Sequence, residues 1–144
     1  MSQRTARLSW ERITAMPERA ATLHRWSEIP HIESTDLRRQ MITGERVMLT
    51  RAFRRRGCVV ESHRHDNEQM TYVVQGKLQF WIGAGEEQCV VVSSGEVLLV
   101  PSNVPHRALA LEDTVELDIF SPPRADWGAS APSPASRGAN AADA

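Results

Sequence analysis

Three histidines and one glutamine hold most of the chemistry that can be read from this 144-residue chain. His63 and His65 flank Arg64, and in an extended strand, where side chains alternate between faces, positions i and i+2 leave the same side. Gln69 follows after a short polar run, and a turn at Asp66-Asn67 brings its side-chain oxygen back to the same space. A third imidazole stands at His106, behind Pro101 and Pro105. Imidazole nitrogens joined by one oxygen are a donor set for a single divalent transition metal ion, and zinc, nickel, iron, manganese and copper all accept it. Glu68 competes with Gln69 for the oxygen position, and because strand neighbours face opposite ways only one of the two ligates. An isolated His-x-His pair is more often a surface feature than a metal site, so the residues around it decide between the two.

Those residues form a frame. Gly57 precedes His63 with five residues between, Gly76 follows Gln69 with six between, and Gly95, Pro101 and Asn103 lead to His106. The frame resembles the two signature motifs of the cupin superfamily, G(X)5HXH(X)3,4E(X)6G and G(X)5PXG(X)2H(X)3N. The resemblance implies an all-β fold, a cupin-type antiparallel β-sandwich or jelly-roll barrel, with His63, His65, Gln69 and His106 as metal ligands. Three positions depart from the motifs: Gln69 replaces the glutamate, Asn103 a glycine and Ala110 the final asparagine. Asparagine tolerates the left-handed backbone that glycine often serves, so the second change is mild. The first alters the chemistry, because a neutral amide leaves the cation its full charge and favours Lewis-acid work on a carbonyl or hydroxyl.

The segment from Asp118 to Trp127, DIFSPPRADW, together with the phrase EQMTYVVQG from Glu68 to Gly76, resembles small cupins that open unsaturated uronates in pectin and alginate breakdown. That resemblance implies a cavity lined by Asp118, Phe120 and Arg124. Asp118 would then carry a proton, Arg124 would fork onto a substrate carboxylate, and Phe120 with Trp81 or Trp127 would exclude water. Strand patterning alone says otherwise. It buries Val115, Leu117 and Ile119 and sends Glu116, Asp118 and Phe120 to solvent, while Arg124 reads equally well as a surface arginine beside a proline turn. Tyr72, inside a strand, reads as core.

Around these residues the chain is built of short strands. Arg46 to Phe53, Met70 to Gln75, Lys77 to Ile82, Gln88 to Val92, Val97 to Val100, His106 to Leu111 and Thr114 to Phe120 are separated by glycine-bearing turns. Met70–Gln75 and Lys77–Ile82 around Gly76 carry a hairpin signal, and the unbroken apolar run Val97–Val100 suggests a strand covered on both faces. Residues 1–32 form an N-terminal arm in which Trp10, Ile13 and Met16 have helical spacing as far as Pro17, and its His24 and His31 read as surface residues. In cupins such an arm packs on the barrel or on a partner. Residues 33–124 are the barrel, and the Ala-, Ser- and Pro-rich residues 125–144 read as a disordered tail.

A formal net charge of -1 argues against nucleic acid or an anionic membrane as partner, and Arg38-Arg39 and Arg54-Arg55-Arg56 read as solvated clusters at strand ends. No apolar run reaches the roughly 18 residues of a membrane span. The N-terminus lacks the apolar stretch of a signal peptide, so the expected address is the cytoplasm. Cys58 and Cys89 lack CxxC spacing and read as small core residues. The partners expected are a small-molecule substrate and, from the fold, a second copy in a homodimer. Three functions remain open: a metal-dependent lyase, isomerase or ring-opening enzyme of a sugar-acid-like molecule; an iron dioxygenase of a diketone or enolic phenol, or an accessory polyketide cyclase; and a ligand-binding cupin without catalysis.

Overall fold

The computed structural model describes residues 20–127. Trp10, Ile13 and Met16, and the tail from 129 to 144, lie outside the described residues. Within them the short apolar runs form ten strands: β1 (Ile32–Glu33), β2 (Leu37–Thr43), β3 (Met48–Arg54), β4 (Val59–His63), β5 (Glu68–Gln75), β6 (Lys77–Ile82), β7 (Gln88–Ser93), β8 (Val97–Val100), β9 (His106–Ala110) and β10 (Thr114–Ser121). They pair antiparallel into a six-stranded sheet, β1-β2-β3-β10-β5-β8, and a four-stranded sheet, β4-β9-β6-β7. Alternation gives each sheet an inward face, and the two close on a core that includes Val60, Val73, Leu78, Phe80, Val92 and Ala108. The fold is the all-β sandwich that the motifs imply. Among the described residues no helix is long and apolar enough to cross a membrane.

The hairpin expected around Gly76 does not form. β5 pairs with β10 and β8, whereas β6 pairs with β7 and β9, so Gly76 is a corner between the two sheets. The local signal for a hairpin and for a sheet-switching corner is the same, a glycine between two extended runs. Gly76 has φ 93°, and a Cβ there would come within 2.5 Å of the Asp113 carbonyl, so only glycine lets the chain bend this tightly past β10.

Two other expectations, those for β8 and for Tyr72, fail because the outer face of the six-stranded sheet is apolar too. β8 is an edge strand, and Val97 and Leu99 face outward and are exposed instead of covered. Tyr72 lies on the same outer face, beside Val97 and Leu117, and is not core. Cys58 is buried as expected, but Cys89 is exposed on β7. The ordered chain also runs past Arg124: Ala125–Trp127 make a 3-10 turn and Trp127 is buried against Phe120, so the boundary at 124 falls short.

Two arginines of the expected solvated clusters are instead interior. Arg39 is buried with its guanidinium 3.8 Å from the centre of the Trp127 ring. Arg54 is buried at the far end of β3, where its Nε donates to Glu116 Oε1 at 2.6 Å. Burial opposes its charge, but the Glu116 carboxylate beside it holds it protonated. Removing one partner strands the other charge in the core. Glu116→Leu or Arg54→Met should therefore lower unfolding free energy by about 3–5 kcal/mol, while the double replacement costs less than either alone. Urea denaturation of the three variants checks this; additive losses would mean that the two residues are not coupled.

Candidate metal centre

β4 ends at His63, so His65 is not in the strand, and the same-face argument that linked the two histidines does not describe how they meet. The loop after β4 does the positioning. Asn103, at φ 61°, donates its backbone N–H to the His65 carbonyl at 2.8 Å, which ties the two motif loops together. The left-handed backbone expected of this position is present. Asn67 then bonds through its Nδ2 to the Pro122 carbonyl at 2.6 Å, fastening the His65 loop to the exit of β10. His106 opens β9 and pairs in register with His63.

The result is a cluster of three imidazoles at one mouth of the barrel. Ring centres lie 4.4 Å apart for His63–His106, 5.1 Å for His65–His106 and 5.5 Å for His63–His65. One nitrogen from each ring falls within 4.8 Å of the others, close enough to share one ion. The remaining nitrogen of each ring is fixed by the main chain. His63 Nδ1 meets the Glu61 carbonyl at 2.8 Å, His65 Nδ1 the Asn67 carbonyl at 2.9 Å and His106 Nδ1 the Val104 carbonyl at 2.9 Å. A carbonyl only accepts, so each Nδ1 carries the proton and each Nε2 presents a lone pair.

Two observations show that these lone pairs suit a cation. His106 Nε2 is buried with no hydrogen-bond partner among the described residues. His65 Nε2 stands 3.1 Å from Gln69 Oε1, so two acceptors face one another. Burial and then the Arg124 charge push the His65 imidazole below its ordinary range, which disfavours a proton shared between them. Burial also takes His106 down to about 4. A positive ion between such groups satisfies all of them, and histidine with an amide oxygen is a donor set for zinc, nickel, iron, manganese or copper.

Gln69 is fully buried on the inward face of β5, and Glu68 points outward and is exposed, so the glutamine is the one that reaches the cluster. Behind it lies a polar chain. Gln69 Nε2 donates to Thr71 Oγ1 at 2.9 Å, and Thr71 Oγ1 donates to Asp118 Oδ1 at 2.5 Å. Asp118, only 1% exposed, has its pKa pushed up to about 8 by burial and by the neighbouring Glu116 carboxylate. Phe120 is buried with its ring 5.7 Å from His65 and 5.1 Å from Trp127. Patterning by hydrophobicity thus reads β10 inside out: Asp118 and Phe120 face inward and are buried. Trp81 does not take part; it lies on the outer face of β6 with Arg107 stacked on it at 3.7 Å.

Arg124 is buried rather than a surface residue, 5.4 Å over Phe120 and 4.6 Å over Trp127, and its Nε and Nη2 fork onto the Asp126 carboxylate at 3.0 and 2.8 Å. The fork is planar, and the carboxylate it holds is the chain's own Asp126. Sequence reasoning missed Asn67, Thr71 and Glu116. Thr71 was accessible by the same i, i+2 rule, since it shares the inward face of β5 with Gln69. A cavity of about 420 Å³ opens at the opposite mouth, lined by residues that include Asp36, Arg38, Phe53, Arg54 and Thr114, and shares none with the histidine cluster.

Comparison with known proteins agrees with this architecture. Residues 54–121 match the family described as cupin domain. No curated protein matches the chain. Among solved structures, KdgF from a Halomonas species is 28% identical over 73% of this chain and 98% of its own, with a TM-score of 0.66. An RmlC-like cupin from Shewanella frigidimarina NCIMB 400 is 24% identical over 74% of this chain and 96% of its own, with a TM-score of 0.67. An oxalate decarboxylase of Bacillus subtilis, 19% identical, matches 74% of this chain and 32% of its own with a TM-score of 0.60, a likeness of fold alone. With the matched segment, the two closed sheets and three histidines gathered at one mouth, residues 54–121 are a cupin domain.

Proposed function

We propose that the chain is a metal-dependent enzyme acting on a small carboxylated, sugar-acid-like molecule by ring opening, isomerisation or elimination. The observation that carries the reading is the pairing of a neutral amide beside the three imidazoles with a buried carboxyl directly behind it. When bound, a divalent ion at His63, His65, His106 and Gln69 supplies Lewis-acid polarisation of a substrate oxygen. Asp118, whose pKa of about 8 keeps it protonated at neutral pH, holds the proton that such a reaction must move. Arg124 orients the substrate through its carboxylate, which exchanges with the half-exposed Asp126 side chain for the guanidinium fork. Phe120 and Trp127 keep that side of the site dry, strengthening each of these polar contacts. The resemblance of Asp118 to Trp127 to uronate-opening cupins, and the likeness to KdgF, support the substrate class.

A second reading, oxygen chemistry on a diketone or enolic phenol, draws on the three-imidazole cluster itself. One experiment separates the readings. Metal-loaded protein is incubated with unsaturated uronates while their absorbance and dissolved oxygen are followed together. Loss of absorbance at constant oxygen is the expected result. Oxygen uptake with an enolic substrate and added ferrous ion supports the second reading, and no turnover in either assay leaves a ligand-binding cupin.

A further inference from the structure

Glutamine at the fourth position raises a requirement that a carboxylate would not. The two oxygens of a carboxylate are equivalent, whereas an amide offers one end that can ligate and one NH2 that cannot. Both ends have similar size, so packing alone does not choose between them. Gln69 is fully buried, and only its neighbours can fix which end faces His65.

Thr71 is the neighbour that decides. It sits two residues along β5 on the same inward face and is itself fully buried. A hydroxyl has a single proton, and that of Thr71 is given to Asp118 Oδ1, the Asp118 carboxyl sharing its own proton with Glu116. Towards Gln69 it can therefore only accept, and it takes the amide N–H at 2.9 Å. The second acceptor on that side, Asp118 Oδ1, lies 3.5 Å from the same nitrogen. With the NH2 engaged there, Oε1 is left facing His65 Nε2. We infer that Thr71 is a positioning residue for the metal site: its hydroxyl selects the oxygen end of Gln69 as the fourth ligand. Without it the amide turns over, and its NH2 donates to the His65 lone pair that an ion needs.

The inference rests on the metal site proposed above, and its test does not use turnover. Zn2+ affinity is measured by competition with a chromogenic chelator, and the visible spectrum of the Co2+-loaded protein reports coordination, in wild type, Thr71→Val, Thr71→Ser, Gln69→Glu and the double variant Gln69→Glu/Thr71→Val. Thr71→Val should weaken Zn2+ binding roughly 10- to 100-fold, the range for groups that orient ligands, with Thr71→Ser restoring it, and should shift the Co2+ spectrum towards fewer ligands. In the Gln69→Glu background, where the ligand has no wrong end, the same replacement should change affinity less than about threefold. An equal loss in both backgrounds, or no loss in the first, overturns the role of Thr71 while leaving the metal site standing. If wild type binds neither ion, both the metal reading and this inference fall. Should the valine variants not fold, Thr71→Ala in the two backgrounds makes the same comparison.

Discussion

His106→Ala should abolish tight metal binding, lowering affinity by more than about 100-fold, because it removes a ligand itself and exceeds the cost of losing a group that merely orients one. The imidazole is almost fully buried, opens β9 and sits in register with His63, so no neighbouring side chain can substitute for it. Metal analysis after dialysis, and chelator competition, check the effect; affinity within a few-fold of wild type would sink the proposed site. The same variant tests a linked effect of pH. In the metal-free protein the folded His106 pKa of about 4 lies below the ordinary value of 6.5, so the unfolded chain binds the proton more readily. Its contribution to stability is complete above pH 6.5 and is lost as pH falls towards 4. Between pH 7 and 5, metal-free wild type should lose about 2 kcal/mol through this group, a slope that His106→Ala removes. Denaturant titrations in chelator at the two pH values measure it.

Asp118→Asn should lower kcat on a uronate substrate by about 10²- to 10⁴-fold while leaving one ion bound per chain, since the amide keeps the shape of the carboxyl but cannot deliver its proton. Asp118 does not lie among the ring nitrogens; it is reached through Thr71 and the amide of Gln69. Metal content and turnover are thus separable in this variant, unlike in the histidine variant. Activity within tenfold of wild type would assign the proton to another group. Loss of metal together with activity would mean that holding Gln69, and not proton transfer, accounts for the effect of Asp118.

The portion of this architecture that was legible in the sequence is the portion encoded locally. Gly57, His63, His65, Gln69 and Asn103 fall at fixed short spacings because each loop must meet its neighbour at one point, as the hydrogen bond from Asn103 to the His65 carbonyl illustrates. What stayed hidden depends on pairing over long separations. Val115, Leu117 and Ile119 make a more apolar face than Glu116, Asp118 and Phe120, yet they look outward. Glu116 is drawn in by Arg54, 62 positions away, and Asp118 by Thr71, 47 positions away. No window of a few residues contains both members of such a pair. Gly76 failed for a related reason, because a corner and a hairpin differ only in which distant strand receives each arm. Trp127 was legible only through the motif resemblance, because the polar, small-residue stretch around it reads as loop.

The three imidazoles are steadied by peptide oxygens of Glu61, Asn67 and Val104, groups that every residue type supplies. Mutational drift at those three positions can change the side chains without erasing the anchors, so ring orientation in this barrel is heritable through the backbone trace. The fourth donor has no such insurance, since it relies on the hydroxyl of Thr71 and the carboxyl of Asp118. Divergence of chemistry among barrels built this way should therefore begin on the β5–β10 side, with the histidine side conserved as a fixed platform.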